Sequence, residues 1–251
     1  MLITSASNAQ VKIIRSLRNR KGRDETGLFF VEGAMLTGLA LEAGADIETL
    51  VVAPELTDDL PNEFNSRLND ARGLPRLEVS KKVFESIAQY GASEGIGAVV
   101  RQRWEQLTNV RLAGELCWIA IGSALRPNNL GTLLRISDSV GGKGLILIGD
   151  SADPYDISSV RSSLGMIFFQ KVVRTSSAEF AKWKRERGYF VVGTSPEGSA
   201  DYQSVAYKPP LVLLLGSEWT GLSEEEQSIC AALVRIPMMG RVESHIVAVA
   251  A

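Results

Sequence analysis

Three segments of this chain group residues whose types suit chemistry: RPNNLGTLLRISDSVG (126–141), LLLGSEWTGLSEEE (213–226) and RIPMMGRVESHIVAVAA (235–251). They offer amides, a guanidinium, carboxylates, hydroxyls and backbone N–H groups beside glycine. They also hold the only histidine of the chain, His245. A single imidazole argues against His-based triads and zinc sites, and no metal is expected. No Walker loop is present, and no G-x-G-x-x-G opens a helix after a strand. Cys117 and Cys230 both lie among apolar residues; without further partners they read as small core residues in a reducing compartment, not as a disulfide or metal site. Chemistry therefore falls to Arg, Asn, Glu, Ser and the main chain.

Each segment also has a plain structural use. In the first, Asn128 or Asn129 caps a helix, Leu130, Leu133 and Leu134 bury one face, Gly131 packs closely and Gly141 ends it. Arg135 falls about one and a half turns after Asn129, so spacing alone does not put them on one face. In the second, Ser223 and Glu226 form a capping box. Glu218 instead stands at the carboxyl end of a strand, where open α/β sheets bind ligands. Trp219 either caps the core or stacks on a base. In the third, a strand end, a Pro, a Gly and an acidic-polar turn lead into an apolar run that starts like a buried helix.

The elements that must hold these segments follow from the hydropathy pattern. Over the first hundred residues, helices (about 8–19, AMLTGLALEAG, Glu55–Ala71, KKVFESIAQ) alternate with strands (LFFV, IETLVV, RLEV, GIGAVV). That is the pattern of a small α/β domain over 1–103. The charged stretch RQRWEQLTNVRLAG interrupts it, giving a linker over 104–114. From 115 to 251 the alternation resumes with stronger strands: LCWIAIG, GLILIG, FFQKVV, YFVVGT, LVLLLG and AALVR. Continuous apolar strands between amphipathic helices indicate a parallel sheet covered on both faces. Four polar loops, after LCWIAIG, YFVVG, LVLLLG and AALVR, then gather at one edge.

The net charge of −2 conceals an asymmetry: the first 23 residues carry Lys12, Arg15, Arg18, Arg20, Lys21 and Arg23 and no acid. A transit peptide has such a bias. Here, however, Ser7 offers an N-cap, and Val11, Ile14 and Leu17 recur at helical spacing ahead of a strand, which favours a folded basic helix facing an anionic partner.

In order and spacing, RPNNLGTLLR, LLLGSEWTGLS and IPMMGRVES match the three motifs of the SpoU (TrmH) branch of the SPOUT RNA methyltransferases. DPYDISSVRSSLGMIFFQKVV resembles the family's region between its first two motifs. ITSASNAQVKIIRSLRNRKGRDETGLFFVEGAMLTGLAL resembles the small RNA-binding domain often fused ahead of it. The resemblance covers nearly the whole chain. It implies a cytoplasmic enzyme that methylates a ribose 2′-hydroxyl of structured ribosomal or transfer RNA from S-adenosylmethionine. It also implies a C-terminal trefoil knot and a homodimer formed through the catalytic domain. By the same resemblance, Asn129, Arg135, Glu218 and Ser244 are catalytic, and Thr194, Gly216, Ile236, Met238, Gly240 and His245 hold the cofactor. The basic helix contributes phosphate contacts.

Methyl transfer from a sulfonium is an in-line displacement, so alignment supplies much of the acceleration. The weakly acidic hydroxyl needs its developing charge stabilised, and Arg135 suits that work better than literal proton abstraction, because a guanidinium holds its proton. One departure stands out. Where the family has Ser-Leu-Asn-Val-Ser, this chain reads Ser244-His245-Ile246-Val247-Ala248, with the expected final helix cut short at Ala251. The competing expectation is a non-catalytic RNA-binding protein that keeps the fold.

Overall fold

The computed structural model describes residues 2–57, 73–89, 94–111, 117–122, 125–217, 220–241, 245 and 247–251. The chain divides into two units: Met1–Gln102 with Tyr155–Phe169, and Arg103–Pro154 with Gln170–Ala251.

In the first unit, α1 (Ala9–Ser16) and α2 (Arg20–Thr26) lead into β1 (Leu28–Glu32). There follow α3 (Ala34–Glu42), β2 (Ile47–Val52), β3 (Arg76–Glu78), α4 (Lys81–Ile87) and β4 (Ile96–Arg101). The sheet order is β1-β4-β2-β3; β4 runs antiparallel to β1 and β2, and β3 runs parallel to β2. Val11, Ile14 and Leu17 share one face of α1 and its end, and are buried in a core with Leu28, Phe30, Phe84 and Ile87.

The helix expected over 8–19 runs over Ala9–Ser16, and a second helix not read from the sequence follows at Arg20–Thr26. The cap of the first is Asn8, whose Oδ1 accepts from the N–H of Gln10 at 2.9 Å, while the Ser7 hydroxyl is engaged with that of Ser5 at 2.7 Å. The chain leaves α1 at Ser16 and re-enters as α2, which Gly27 ends at φ 67°. Close approach makes the junction: a Cβ on Gly22 would lie 2.3 Å from the Ser16 carbonyl oxygen. The Arg18 guanidinium, between the two helices, donates to the carbonyls of Ser86, Ile87 and Ala88 at 2.7, 2.7 and 2.9 Å. These are among the acceptors that α4 leaves open at its end. The helix expected over Glu55–Ala71 lies outside the described residues from 58 onward, and Pro54–Leu56 forms a 3-10 turn.

Tyr155–Phe169 reaches this unit from far along the sequence. The rings of Tyr155 and Phe168 meet Phe29 at centroid distances of 4.7 and 6.3 Å. Part of the expected strand FFQKVV belongs to this excursion: Met166–Phe168 is a 3-10 turn, and the strand starts only at Lys171.

The second unit takes β5 (Cys117–Ile121), α5 (Pro127–Ser139) and β6 (Gly144–Ile148). The chain then leaves for the excursion, which carries α6 (Ile157–Ser162). It returns with β7 (Lys171–Thr175), α7 (Ser177–Arg187), β8 (Phe190–Thr194), β9 (Ala200–Asp201), β10 (Leu211–Leu215), α8 (Glu224–Ile229), β11 (Ala232–Arg235) and α9 (Val247–Ala250). Seven strands form one parallel sheet, in the order β7-β6-β5-β10-β8-β11-β9. The strand interiors are dry, with Trp118, Ile146, Val173, Val191 and Leu214 in a core that includes Phe180 and Trp183 of α7.

The stretch expected as a linker packs onto this unit as far as it is described. Trp104 lies 4.1 Å from the Arg174 guanidinium, the Glu105 N–H donates to the Val172 carbonyl at 2.8 Å, and Val110 is fully buried. Its polar composition hides those three anchors, because each is made by a single residue among charged neighbours.

Candidate functional site

Strands β5, β10, β8 and β11 are consecutive neighbours and parallel, so the loops leaving them emerge along one edge of the sheet. A cavity of about 510 Å³ opens at that edge.

Each wall is built locally. Strand β8 ends at Thr194 and leads into a turn in which the Ser195 hydroxyl accepts from the Glu197 N–H at 3.2 Å. After β10, Ser217 and Gly221 exchange both backbone hydrogen bonds, each at 3.0 Å. The Ser217 hydroxyl also meets that of Thr220 at 2.7 Å and accepts the Thr220 N–H at 2.9 Å. This narrow turn needs glycine twice. Gly221 sits at φ 65°, and a Cβ on Gly216 would lie 2.2 Å from the Gly221 carbonyl carbon. After β11, Ile236, Met238 and half-buried His245 continue the lining, which Val247 and Ala250 of α9 extend. Helix α9 also packs against α5, so the cavity and α5 share a common neighbour.

The capping box of α8 is present: the Ser223 N–H donates to Glu226 Oε2 at 2.7 Å, and the Glu226 N–H donates to the Ser223 hydroxyl at 3.3 Å. A Cβ on Gly122, just past β5, would lie 2.0 Å from Glu226 Oε1, so this glycine lets the carboxylate sit against the strand end. Burial pushes the Cys230 thiol up to about 11, and its Sγ–H donates to the Glu226 carbonyl at 3.3 Å. A neutral, half-buried thiol of this kind is packing material rather than a nucleophile.

Of the residues expected to hold a cofactor, Thr194, Gly216, Ile236, Met238 and His245 line the cavity. Gly240 does not; it is exposed, with open space where a Cβ would project. Asn129 and Arg135 both ride on α5, outside the lining. The cap of α5 is not an asparagine: the helix begins after Arg126, with Pro127 in its first turn. Asn129 is half-buried and Arg135 exposed, and helical geometry sets them about 120° apart. The Arg135 side chain makes no hydrogen bond or ion pair with another described residue. Glu218, Trp219, Ser244 and Ile246 lie outside the described residues.

Sequence reasoning passed over Ser195, Glu197, Thr220 and Gln227, all of which line the cavity. The polar loops TSPEG and SEWTG carried the signal for the first three. Nothing in spacing marks Gln227, whose position depends on how α8 packs.

The six basic residues near the N-terminus have divided duties. Arg23 is 2% exposed; its Nη2 lies 3.1 Å from Asp156 Oδ2, and its Nη1 donates to the Leu17 and Arg18 carbonyls at 2.8 and 3.0 Å. Arg18 is committed to the end of α4. Both are therefore fold residues, a correction to the expectation that they face RNA: buried carbonyls and a carboxylate outcompete a solvated partner for them. Arg20 and Lys21 are exposed beside Asp24 and Glu25, at 3.6 and 3.8 Å. Lys12 and Arg15 are exposed on α1, and their side chains make no hydrogen bond or ion pair with another described residue.

Comparison with known proteins completes this picture. Residues 119–251 match the SpoU rRNA Methylase family, and residues 8–98 match the MRM3-like substrate binding domain. The 23S rRNA (uridine(2479)-2′-O)-methyltransferase of Streptomyces viridochromogenes is 31% identical over 238 residues, covering 91% of this chain and 81% of that protein. The 23S rRNA (guanosine(2553)-2′-O)-methyltransferase RlmP of Bacillus subtilis is 27% identical over 249 residues, covering 99% and 95%. Among solved structures, an AdoMet-bound rRNA methyltransferase from Sinorhizobium meliloti superposes with a TM-score of 0.88 at 35% identity, covering 100% of this chain and 94% of that one.

Proposed function

The chain belongs to the SpoU rRNA methylase family, and from that premise we propose that it methylates a ribose 2′-hydroxyl of ribosomal or transfer RNA, with S-adenosylmethionine as methyl donor. The observation that carries this is the cavity at the carboxyl ends of β10, β8 and β11, lined by Thr194, Gly216, Ile236, Met238 and His245. Its volume of about 510 Å³ suits a nucleoside of this size, and neither Gly216 nor Gly221 puts a side chain into the wall they share. The sulfonium of the donor supplies an activated methyl group. The protein's part is to align the acceptor oxygen and to stabilise the charge that develops on it. Arg135 takes the second role, because it is exposed and without a partner among the described residues; Asn129, Glu218 and Ser244 complete the catalytic set.

On the same reading, the chain past β11 threads a loop to form a trefoil knot, and two copies pair through the second unit. The packing of α9 on α5 supports this, as do two exposed apolar side chains next to cavity-lining residues, Met239 at 96% and Val249 at 66% exposure. A monomer mass by sedimentation at micromolar concentration would remove the pairing.

The test of function is to map 2′-O-methylation in total RNA from cells with and without the gene. Loss of one modified nucleotide on deletion, restored by the gene, is the expected result. An unchanged map, together with RNA binding by the purified chain, would favour a non-catalytic binder.

Lys12 and Arg15 carry the phosphate contacts that α1 offers. Replacing both with alanine is expected to weaken RNA binding and lower the slope of log affinity against log salt by about one to two. Base preference should not move, because phosphate contacts hold no sequence information. Unchanged affinity and slope would leave this face of α1 merely solvated.

A further inference from the structure

The cavity is graded in polarity. Its buried lining, including Leu215, Leu222, Val234 and Val247, is apolar, whereas Glu197 and Thr220 are exposed and Ser195 half-exposed. A flat base suits the apolar floor, and the hydroxyls and charged groups of a nucleoside suit the rim. Half-buried polar side chains lie between the two, and one of them comes from α8. Gln227 is half-buried, lines the cavity, and donates from its Nε2 to the Leu222 carbonyl at 2.9 Å.

That bond settles the orientation of the amide, because only its NH₂ end can face a carbonyl. The other end, Oε1, is left as an acceptor that receives no hydrogen bond from a described residue. Its direction is fixed before any ligand arrives, since the Leu222 contact restrains the side chain. A fixed, half-buried acceptor favours a ligand that brings a neutral N–H donor on an aromatic edge, and discriminates against one that brings a second acceptor.

We propose that Gln227 is a specificity-determining residue that reads the adenine of S-adenosylmethionine, its Oε1 accepting a hydrogen bond from the exocyclic amine. The assignment rests on the reading that this cavity holds the methyl donor. It adds to that reading a side chain outside the three motifs.

The test is isothermal titration of the 251-residue chain with S-adenosylhomocysteine and with S-inosylhomocysteine, in which a carbonyl replaces the exocyclic amine. Wild type should prefer the adenosyl compound. In Gln227→Met and Gln227→Leu, the ratio of the two affinities should fall roughly tenfold, because the adenosyl compound loses a partner and the inosyl compound loses an opponent. An equal loss of affinity for both compounds would make Gln227 a packing residue that only holds Leu222, and would overturn the assignment. An unchanged ratio would overturn it too, while leaving the cofactor reading intact. Wild type that binds neither compound would overturn both.

Discussion

Replacing Arg135 with alanine is expected to lower methyl transfer on the order of a hundredfold or more, while affinity for S-adenosylhomocysteine stays within about twofold. The two halves of this expectation come from different observations. Arg135 lies outside the cavity lining, so its removal takes nothing from the nucleoside. Its side chain is exposed and makes no hydrogen bond or ion pair with another described residue, so the fold loses nothing either. What is lost is a cation available to the developing oxyanion and the neighbouring phosphate, the kind of interaction that acts mainly in the transition state. Arg135→Lys should recover only part of the rate, because a point charge cannot grip phosphate with two parallel bonds. Single-turnover rates and titration on the same protein decide the matter. A parallel fall in cofactor affinity, or unfolding of the variant, would remove Arg135 from the transition state.

Arg23→Ala should cost the first unit about 3 kcal/mol of stability, read as a lower urea midpoint at unchanged slope. Arg23 is almost wholly buried, and its guanidinium serves Asp156 and two backbone carbonyls at once. Truncation leaves those carbonyls without a donor and Asp156 without its counter-charge. The carboxylate is 25% exposed and turns partly to water, which keeps the loss at the lower end of the range for broken buried pairs. It also accepts the Ser158 N–H at 2.9 Å through Oδ1, so it remains useful as the cap of α6. A loss under about 1 kcal/mol would show that the pair contributes little beyond an exposed one. The contrast with Lys12 and Arg15 is the point of the experiment: neighbouring cations in one basic run should separate cleanly into a stability effect and an RNA effect.

The parallel sheet was legible because its strands are short apolar runs, such as GLILI, buried throughout, and LVLLL, in which only Leu211 and Leu213 are half-buried. The capping box at Ser223 was legible because two residues three positions apart, Ser223 and Glu226, make it. What escaped depends on contacts between distant residues. The break between α1 and α2 is made by Gly22 against Ser16 and is stabilised by Arg18 on α4, and neither contact leaves a periodic trace. Burial of Arg23 requires Asp156, more than a hundred positions later. The cofactor positions came from a family pattern rather than from spacing. Gln227, which that pattern does not mark, became visible only once α8 was set beside the loop after β10.

The late return of Tyr155–Phe169 to the first unit bears on how the protein is made. A growing chain that has emerged only through Gln102 lacks Tyr155 and Phe168 to cover Phe29, and lacks the carboxylate that Arg23 needs. At about 5–20 residues per second, several seconds of translation separate that point from the arrival of the missing piece. During that interval the N-terminal half is a nascent chain with an uncovered aromatic ring and an uncompensated cation. The first-made unit is therefore completed only once Phe169 has been made, well after its own N-terminal segment has emerged.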